Sequence, residues 1–463
     1  MRTFTTLAAA ASILSTGHAI NLLERRDGTA PRVVQHDIQR RHVENPVARD
    51  RARMRKRQSN TVEVDLDNEE TLYFMNASIG TPAQNLRLHI DTGSSDLWVN
   101  VASTSGTYAP NSSSTYQYID SQFNITYVDG SGSEGDYASD TLAFGGVTLD
   151  NQQFGIGYTS SSQEGIIGIG YPINEVATQY NGGNPYPNVP LHLMQNGEIN
   201  SNAYSLWLND LDASTGSILF GGVNTDKFTG SLETLPVIPT RGYYAEFIIA
   251  LTAVGANGTT GSIANNIASP ALLDSGSSLM YLPDDIVQSI YNDVGAQYDS
   301  SQGAAFVDCD LANSDATIDF TFSTPTISVG MNELVIVAGS DQRGNPICII
   351  GISPASGSTP VLGDTFLRSA YVVYDMTKNE ISLAPTNFNS TSDNILEITN
   401  STGVPSATAV ANAVTSVAVE SGGARIGSGP TGVTSSAWAV PTAAIGYDVA
   451  LLGALGAGIA YAF

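Results

Sequence analysis

The sequence predicts an all-β fold with a few short helices, built as two lobes related by a pseudo-twofold axis. Three observations predict it. An acidic turn occurs twice, "DTGSS" from Asp91 and "DSGSS" from Asp274, 183 positions apart. An apolar-apolar-Gly stretch follows each turn, "IIG" at 166–168 and "VLG" at 361–363. Residues 58–386 are dominated by short runs of Val, Ile, Thr, Tyr and Phe, cut by Gly, Asn, Asp and Ser, which is strand-and-turn chemistry.

The chain has 463 residues, too many for one ordinary domain. Residues 1–19 read as a secretory signal: an early Arg2, the apolar core "LAAAASIL", then small residues before a cut after Ala19. Residues 20–57 are Arg-rich and end in "RMRKR", which suggests a basic pro-segment cut after Arg57. Charge divides at that point. Residues 1–57 hold 12 of the 19 Lys+Arg and 5 of the 44 Asp+Glu, leaving 7 against 39 beyond them, a net of −32. Such a surface excludes a polyphosphate partner, so no nucleic acid is expected. It also repels itself at neutral pH, which points to an acidic working compartment.

The N-terminal lobe is placed at 58–235 and the C-terminal lobe at 236–386. Strand candidates include "QFNITYV", "GSILFGGV", "ATIDFTF" and "AYVVYD". The best helix candidate is "DDIVQSIYNDVGAQY", 284–298. Cys309 and Cys348 are the two cysteines, and in an oxidising compartment they are expected to form one disulfide. Six sequons, at Asn76, Asn111, Asn124, Asn257, Asn389 and Asn400, predict glycosylation.

Residues 387–436, mostly Ser, Thr, Ala, Gly and Val, read as a disordered stalk. The apolar end, 437–463, closes in "VALLGALGAGIAYAF". As a helix those last residues span about 22 Å, against roughly 30 Å of hydrocarbon. Small residues at Ser421 and Gly422, a spacer and an apolar tail fit a GPI-attachment signal, with either residue as the acceptor. The expected location is therefore the secretory pathway and the cell surface, with the membrane touched only through that anchor. A short tail-anchored span is the alternative.

Both acidic turns end an apolar run, where a lone charge is costly. A twofold arrangement explains the cost, because it sets Asp91 and Asp274 face to face. Two carboxylates about 3 Å apart cannot both ionise and titrate as a pair. One can take a proton from water while the other gives one to a substrate carbonyl, with no covalent intermediate. Gly93 and Gly276 let the backbone turn tightly. Thr92 and Ser275 offer hydroxyls to brace one turn against the other. Neither a metal nor a cofactor is called for. Past residue 57 only His89 and His192 remain, so Ser or Cys triads have little support.

These residues resemble the pepsin-like aspartic proteases over roughly 68–385, and most of all the fungal secreted and GPI-anchored yapsin and candidapepsin type. The resemblance rests on "YFMNASIGTPAQ", "DTGSSDLWV", "ALLDSGSS", "QEGIIGIGY" and "PVLGDTFLRSAYVVYD". It implies a monomeric aspartic endopeptidase acting on proteins or peptides at acid pH, with Asp91 and Asp274 as the catalytic pair. It implies that Ser94 is the hydroxyl beside the first Asp and Tyr127 the tyrosine of a hairpin flap. It also matches Cys309 and Cys348 to the family's C-lobe disulfide. Val128 stands where the family has Gly. Asp129 follows, and in related fungal enzymes an acid there accompanies a basic side chain at the scissile bond, so a preference for Lys or Arg is expected. The resemblance further implies that the basic pro-segment lies across an acidic cleft until acid loosens it. Two rival readings compete. An ATPase of the actin and heat-shock type also carries duplicated Asp-x-Gly turns, but the leader, the sequons and the scarcity of helices oppose it. A non-catalytic cell-surface binder on the same fold would be expected to lack one of the two acids.

Overall fold

The computed structural model describes residues 31–42, 71–101, 107–127, 131–162, 164–179, 183–213, 215–341 and 343–417. The leader 1–19, Arg57, Val128, Asp129, Ser421, Gly422 and the apolar tail 437–463 lie outside the described residues.

β-branched and aromatic runs build strands, as their composition dictates. A 14-stranded sheet runs through both halves of the chain. Within it Ala203–Trp207 pairs antiparallel with Ala370–Asp375, Leu206 opposite Val372, which joins strands of the two halves. All six residues of Ala370–Asp375 are buried, which is why "AYVVYD" shows no polar alternation. The first half continues as a meander of Gln117–Thr126, Gly132–Phe144 and Val147–Ser160. Gly145 and Gly146, at φ 55° and 83°, join the last two strands, since a tight hairpin turn of this kind needs both residues left-handed. Sheets of five, four and four strands complete the second half.

Each acidic turn sits in the same local topology. Gln84–Asp91 leads into the first turn and Leu97–Asn100 leads out. Gly165–Gly168 lies between them, parallel to the first strand and antiparallel to the second. In the second half Ser269–Leu273 and Met280–Leu282 flank the turn, and Val361–Leu362 lies between them with the same pairing senses. The two apolar-apolar-Gly stretches are therefore the strands that each turn is wrapped around.

The helix Asp284–Val294 carries two acids in its first turn and buries Ile286, Val287, Ile290 and Tyr291. It is shorter than the predicted span because Gly295, at φ 69°, caps it. Cys309 and Cys348 form a disulfide with S–S 2.07 Å. The six sequon asparagines are all exposed.

Two segments differ from expectation. Val34–His42, inside the predicted pro-segment, is a strand rather than a charged arm alone. It lies between Thr215–Phe220 and Thr71–Ile79, pairing with both, and buries Val34 and Ile38. Residues 387–417, expected to begin a disordered stalk, are ordered. Ile395–Glu397 pairs with Gly222–Asn224, and Ala407–Ala409 adds a parallel strand beside Leu232–Pro236. Ile395 and Ile398 are fully buried. The stretch is poor in large residues, but these few anchors and its backbone pairing suffice to hold it. Lys227 fixes it further: its ammonium lies 3.2 Å from Asp393, donates to Ser390 O at 2.8 Å and stands 4.5 Å over the Trp207 ring.

Candidate active site

Asp91 and Asp274 are both at 0% exposure. Each is held by its own turn in the same way. Gly93 N donates to Asp91 Oδ1 at 2.8 Å, and Ser94 Oγ donates to Asp91 Oδ2 at 2.6 Å. Gly276 N donates to Asp274 Oδ1 at 2.8 Å, and Ser277 Oγ donates to Asp274 Oδ2 at 2.8 Å. A side chain on Gly93 would run into the Asp274 carboxyl, and one on Gly276 into the Asp91 carboxyl. That reciprocal approach places the two acids together across the halves. It also explains why both positions are glycine for reasons of space, beyond the turn itself.

Four hydrogen bonds lock the turns to each other. Thr92 Oγ1 donates to Leu273 O at 2.9 Å and accepts from Ser275 N at 2.9 Å. Ser275 Oγ donates to Ile90 O at 2.9 Å and accepts from Thr92 N at 3.1 Å. Each hydroxyl thus satisfies a backbone N–H and a C=O that burial would otherwise orphan. His89 Nε2 lies 3.3 Å from Ser275 O; a carbonyl only accepts, so Nε2 is the donor in this contact. His89 belongs to the scaffold of the turns.

The tyrosine predicted for the flap, Tyr127, closes Gln117–Thr126 and is buried. Trp98 Nε1 donates to its phenol oxygen at 2.6 Å. Burial first, then the Asp91 charge, holds the Tyr127 phenol well above its ordinary range, so it stays protonated at any working pH.

Sequence reasoning missed three features here. Ser277 mirrors Ser94, and the repeat itself, Asp-x-Gly-Ser twice, contained that signal. Trp98 stands inside a quoted motif, but the motif gives its N–H no role. The third is a buried acidic pair behind the first turn. Asp96 and Glu175 are both at 0% exposure. Asp96 Oδ1 accepts from Tyr137 Oη at 2.7 Å and Tyr186 Oη at 3.0 Å, and Oδ2 accepts from Val176 N at 2.8 Å. Glu175 Oε2 accepts from Tyr186 N at 2.7 Å, while its Oε1 is buried without a hydrogen-bond partner. Burial raises the Asp96 carboxyl despite its three donors. Burial and then the Asp96 charge raise Glu175 well above the usual carboxylate range. No spacing in the sequence pairs these two acids.

Among the described residues no group of three or more His, Cys, Asp or Glu could hold a metal ion. What the arrangement can do chemically is hold two facing carboxyl groups, each with fixed donors, at the meeting point of two matched turns. A water between them would have an acceptor for its proton on one side and a donor on the other.

Comparison with known proteins gives one consistent picture. The family model described as eukaryotic aspartyl protease matches residues 72–386. A probable aspartic-type endopeptidase opsB of Aspergillus oryzae is 55% identical over 429 residues, covering 89% of this chain and 87% of its own. Secreted aspartic protease 8 of Candida albicans is 38% identical over 349 residues, 72% of this chain and 80% of its own. The crystal structure of an aspartic proteinase from Irpex lacteus superposes with a TM-score of 0.61, covering 78% of this chain and all of that one. At 22% identity that last likeness speaks to fold alone.

Proposed function

The chain belongs to the eukaryotic aspartyl protease family and is an aspartic-type endopeptidase, and we propose that Asp91 and Asp274 are the carboxyl groups that activate its water. The observation that carries this reading is the reciprocal crowding of each carboxyl against the glycine of the opposite turn. The pair holds one proton between them. The ionised member takes a proton from water as that water attacks the peptide carbonyl. The protonated member gives its proton to the carbonyl oxygen, producing a gem-diol with no covalent enzyme intermediate. Collapse of the diol returns a proton to the pair and delivers one to the leaving amine. Ser94, Ser277, Gly93 and Gly276 hold the carboxyls in place; Thr92 and Ser275 keep the two turns in register. Tyr127, with its phenol fixed by Trp98, forms the wall that excludes water above Asp91.

Acid pH favours this chemistry, because the pair needs its shared proton and the net charge of −32 beyond residue 57 eases as carboxylates protonate. Asp129, two positions after Tyr127, is the proposed ground for preferring Lys or Arg at the scissile bond. Secretion is supported by the apolar leader, by the six exposed sequons and by the likeness to the secreted aspartic protease of Candida albicans. A pro-segment over 20–57 is supported by the multibasic end at Arg57 and by the strand Val34–His42, which fills a place in the central sheet. A GPI anchor at Ser421 or Gly422 accounts for the small residues and the apolar tail.

The test follows a quenched peptide library from about pH 3 to 7. It uses wild type, Asp91→Asn, Asp274→Asn and Asp129→Ala, each with and without pepstatin. Acid-favoured, pepstatin-sensitive cleavage, lost in both asparagine variants, is the expected result. Cleavage surviving in either one removes that residue from the pair. Equal turnover of basic and Leu/Phe peptides by wild type and Asp129→Ala ends the basic preference.

A further inference from the structure

The segment beyond the matched family region touches the body at three successive places. Val404 and Ala407 pack on the cluster containing Ala203, Trp207, Leu232 and Tyr371. Val410 and Ala413 join the main core, and Val410 N donates to Thr234 O at 2.9 Å. Val414 and Val417 then pack on a small separate cluster of Ile238, Ile248, Ala250 and Leu272, with Val414 N donating to Ser323 Oγ at 3.1 Å.

That last cluster belongs to the strands that carry the second acidic turn. Leu272 stands two residues before Asp274. It pairs with Ile248 on one side and with Val361 on the other, and Val361 packs on the same cluster. Two residues beyond Leu272, Asp274 N donates to Leu362 O, next to Val361, at 3.1 Å. The cluster's four members are each 4% exposed or less, so its cover is effective. The main core packs Leu273 and Leu362, the next residue of each strand. Consecutive strand residues point to opposite faces, so the two strands are gripped from both sides. On one of those sides the chain supplying the cover is the C-terminal segment.

We propose that Val414 and Val417 are positioning residues for the reaction. They brace the outer face of Ser269–Leu273 and Val361–Leu362 and so hold Asp274 in register with Asp91. The inference rests on the catalytic reading of Asp274 and goes beyond it, because it assigns a role to a stretch outside the matched family region. The reason is mechanical. Leaving Leu272, Ile248 and Val361 uncovered removes contacts that keep neighbouring strands from sliding, and a facing pair of carboxyls tolerates little sliding.

The test uses the secreted protein processed after Arg57 and keeping its C-terminal segment through Val417, with active sites counted by pepstatin titration. It compares Val414→Ala/Val417→Ala, Ser323→Ala and the conservative Val414→Ile. The double variant is expected to lose about tenfold in kcat per titrated site with KM within about twofold, and Ser323→Ala about threefold. Val414→Ile should keep the wild-type kcat. If kcat per titrated site is unchanged in the double variant and in Ser323→Ala, the segment is structural only and the proposal is overturned, whatever the melting temperature does. Should the double variant fail to fold, Ser323→Ala decides alone. Asp274→Asn run beside them separates the two readings, since undiminished cleavage there would overturn the catalytic assignment instead.

Discussion

Asp91 and Asp274 are legible from sequence because an acid placed twice at the end of an apolar run is too costly to stand there without a chemical use. What the sequence does not contain is their closeness, which appears only in the folded chain, in the crossed bonds of Thr92 and Ser275 and in the approach of each carboxyl to the opposite glycine. Two predictions belong at this scale. Gly276→Ala puts a methyl group into the Asp91 carboxyl; kcat/KM should fall by at least about 100-fold, measured on a fixed peptide, while the variant still folds. Ser275→Ala removes the donor to Ile90 O and the acceptor for Thr92 N. Buried groups left unpaired cost roughly 2 kcal/mol, so denaturant unfolding should show a loss of about that size. The family resemblance points to Ser94 and not to Ser277, although both occupy the fourth place of the same repeat.

Single strands and loops are less legible. "AYVVYD" and "ATIDFTF" announce themselves by β-branched and aromatic content. The pairing of Asp96 with Glu175 does not, because it depends on Val176–Gln179 and Tyr186 folding back over the turn. The pair makes a prediction about pH. Glu175 is raised from 4.5, the ordinary value, by burial and by Asp96, and Asp96 is raised as well. A carboxyl raised by folding contributes stability that is fully present below its unfolded value and is lost as pH climbs through the folded value. Thermal unfolding should therefore show the protein most stable in acid, with the melting temperature declining from about pH 5 upward. Among the described residues the groups facing the pair are Tyr137 and Tyr186, which remain neutral phenols and bring no positive charge to offset the rising negative one. Glu175→Gln should flatten that decline; a melting curve with unchanged pH slope would show that this pair is not its source.

At the scale of the whole molecule, composition misleads in both terminal regions. Residues 387–417 look like a stalk because Ser, Thr and Ala dominate, yet Ile395 and Ile398 anchor them and Lys227 clamps them through Asp393. Asp393→Ala leaves that lysine half-stripped of its partners in a largely buried site, so stability should drop by about 3 kcal/mol in denaturant unfolding. Val34–His42 looks like a charged arm because its two buried apolar residues, Val34 and Ile38, are outnumbered by polar ones. The duplicated halves are legible from the repeat; their common sheet is not, because strand order leaves no mark on composition. The crossed hydroxyls have a consequence for the order in which the protein comes into being. Thr92 and Ser275 are 183 residues apart, and a contact of that separation forms late, after the intervening chain has been made and closed into a loop. A growing chain that has not yet reached Ser275 possesses one acid and nothing opposite it. Synthesis from the N-terminus therefore finishes most of the body before the proposed catalytic pair can exist, and on that reading the newborn polypeptide carries no blade while its own loops are still unfolded.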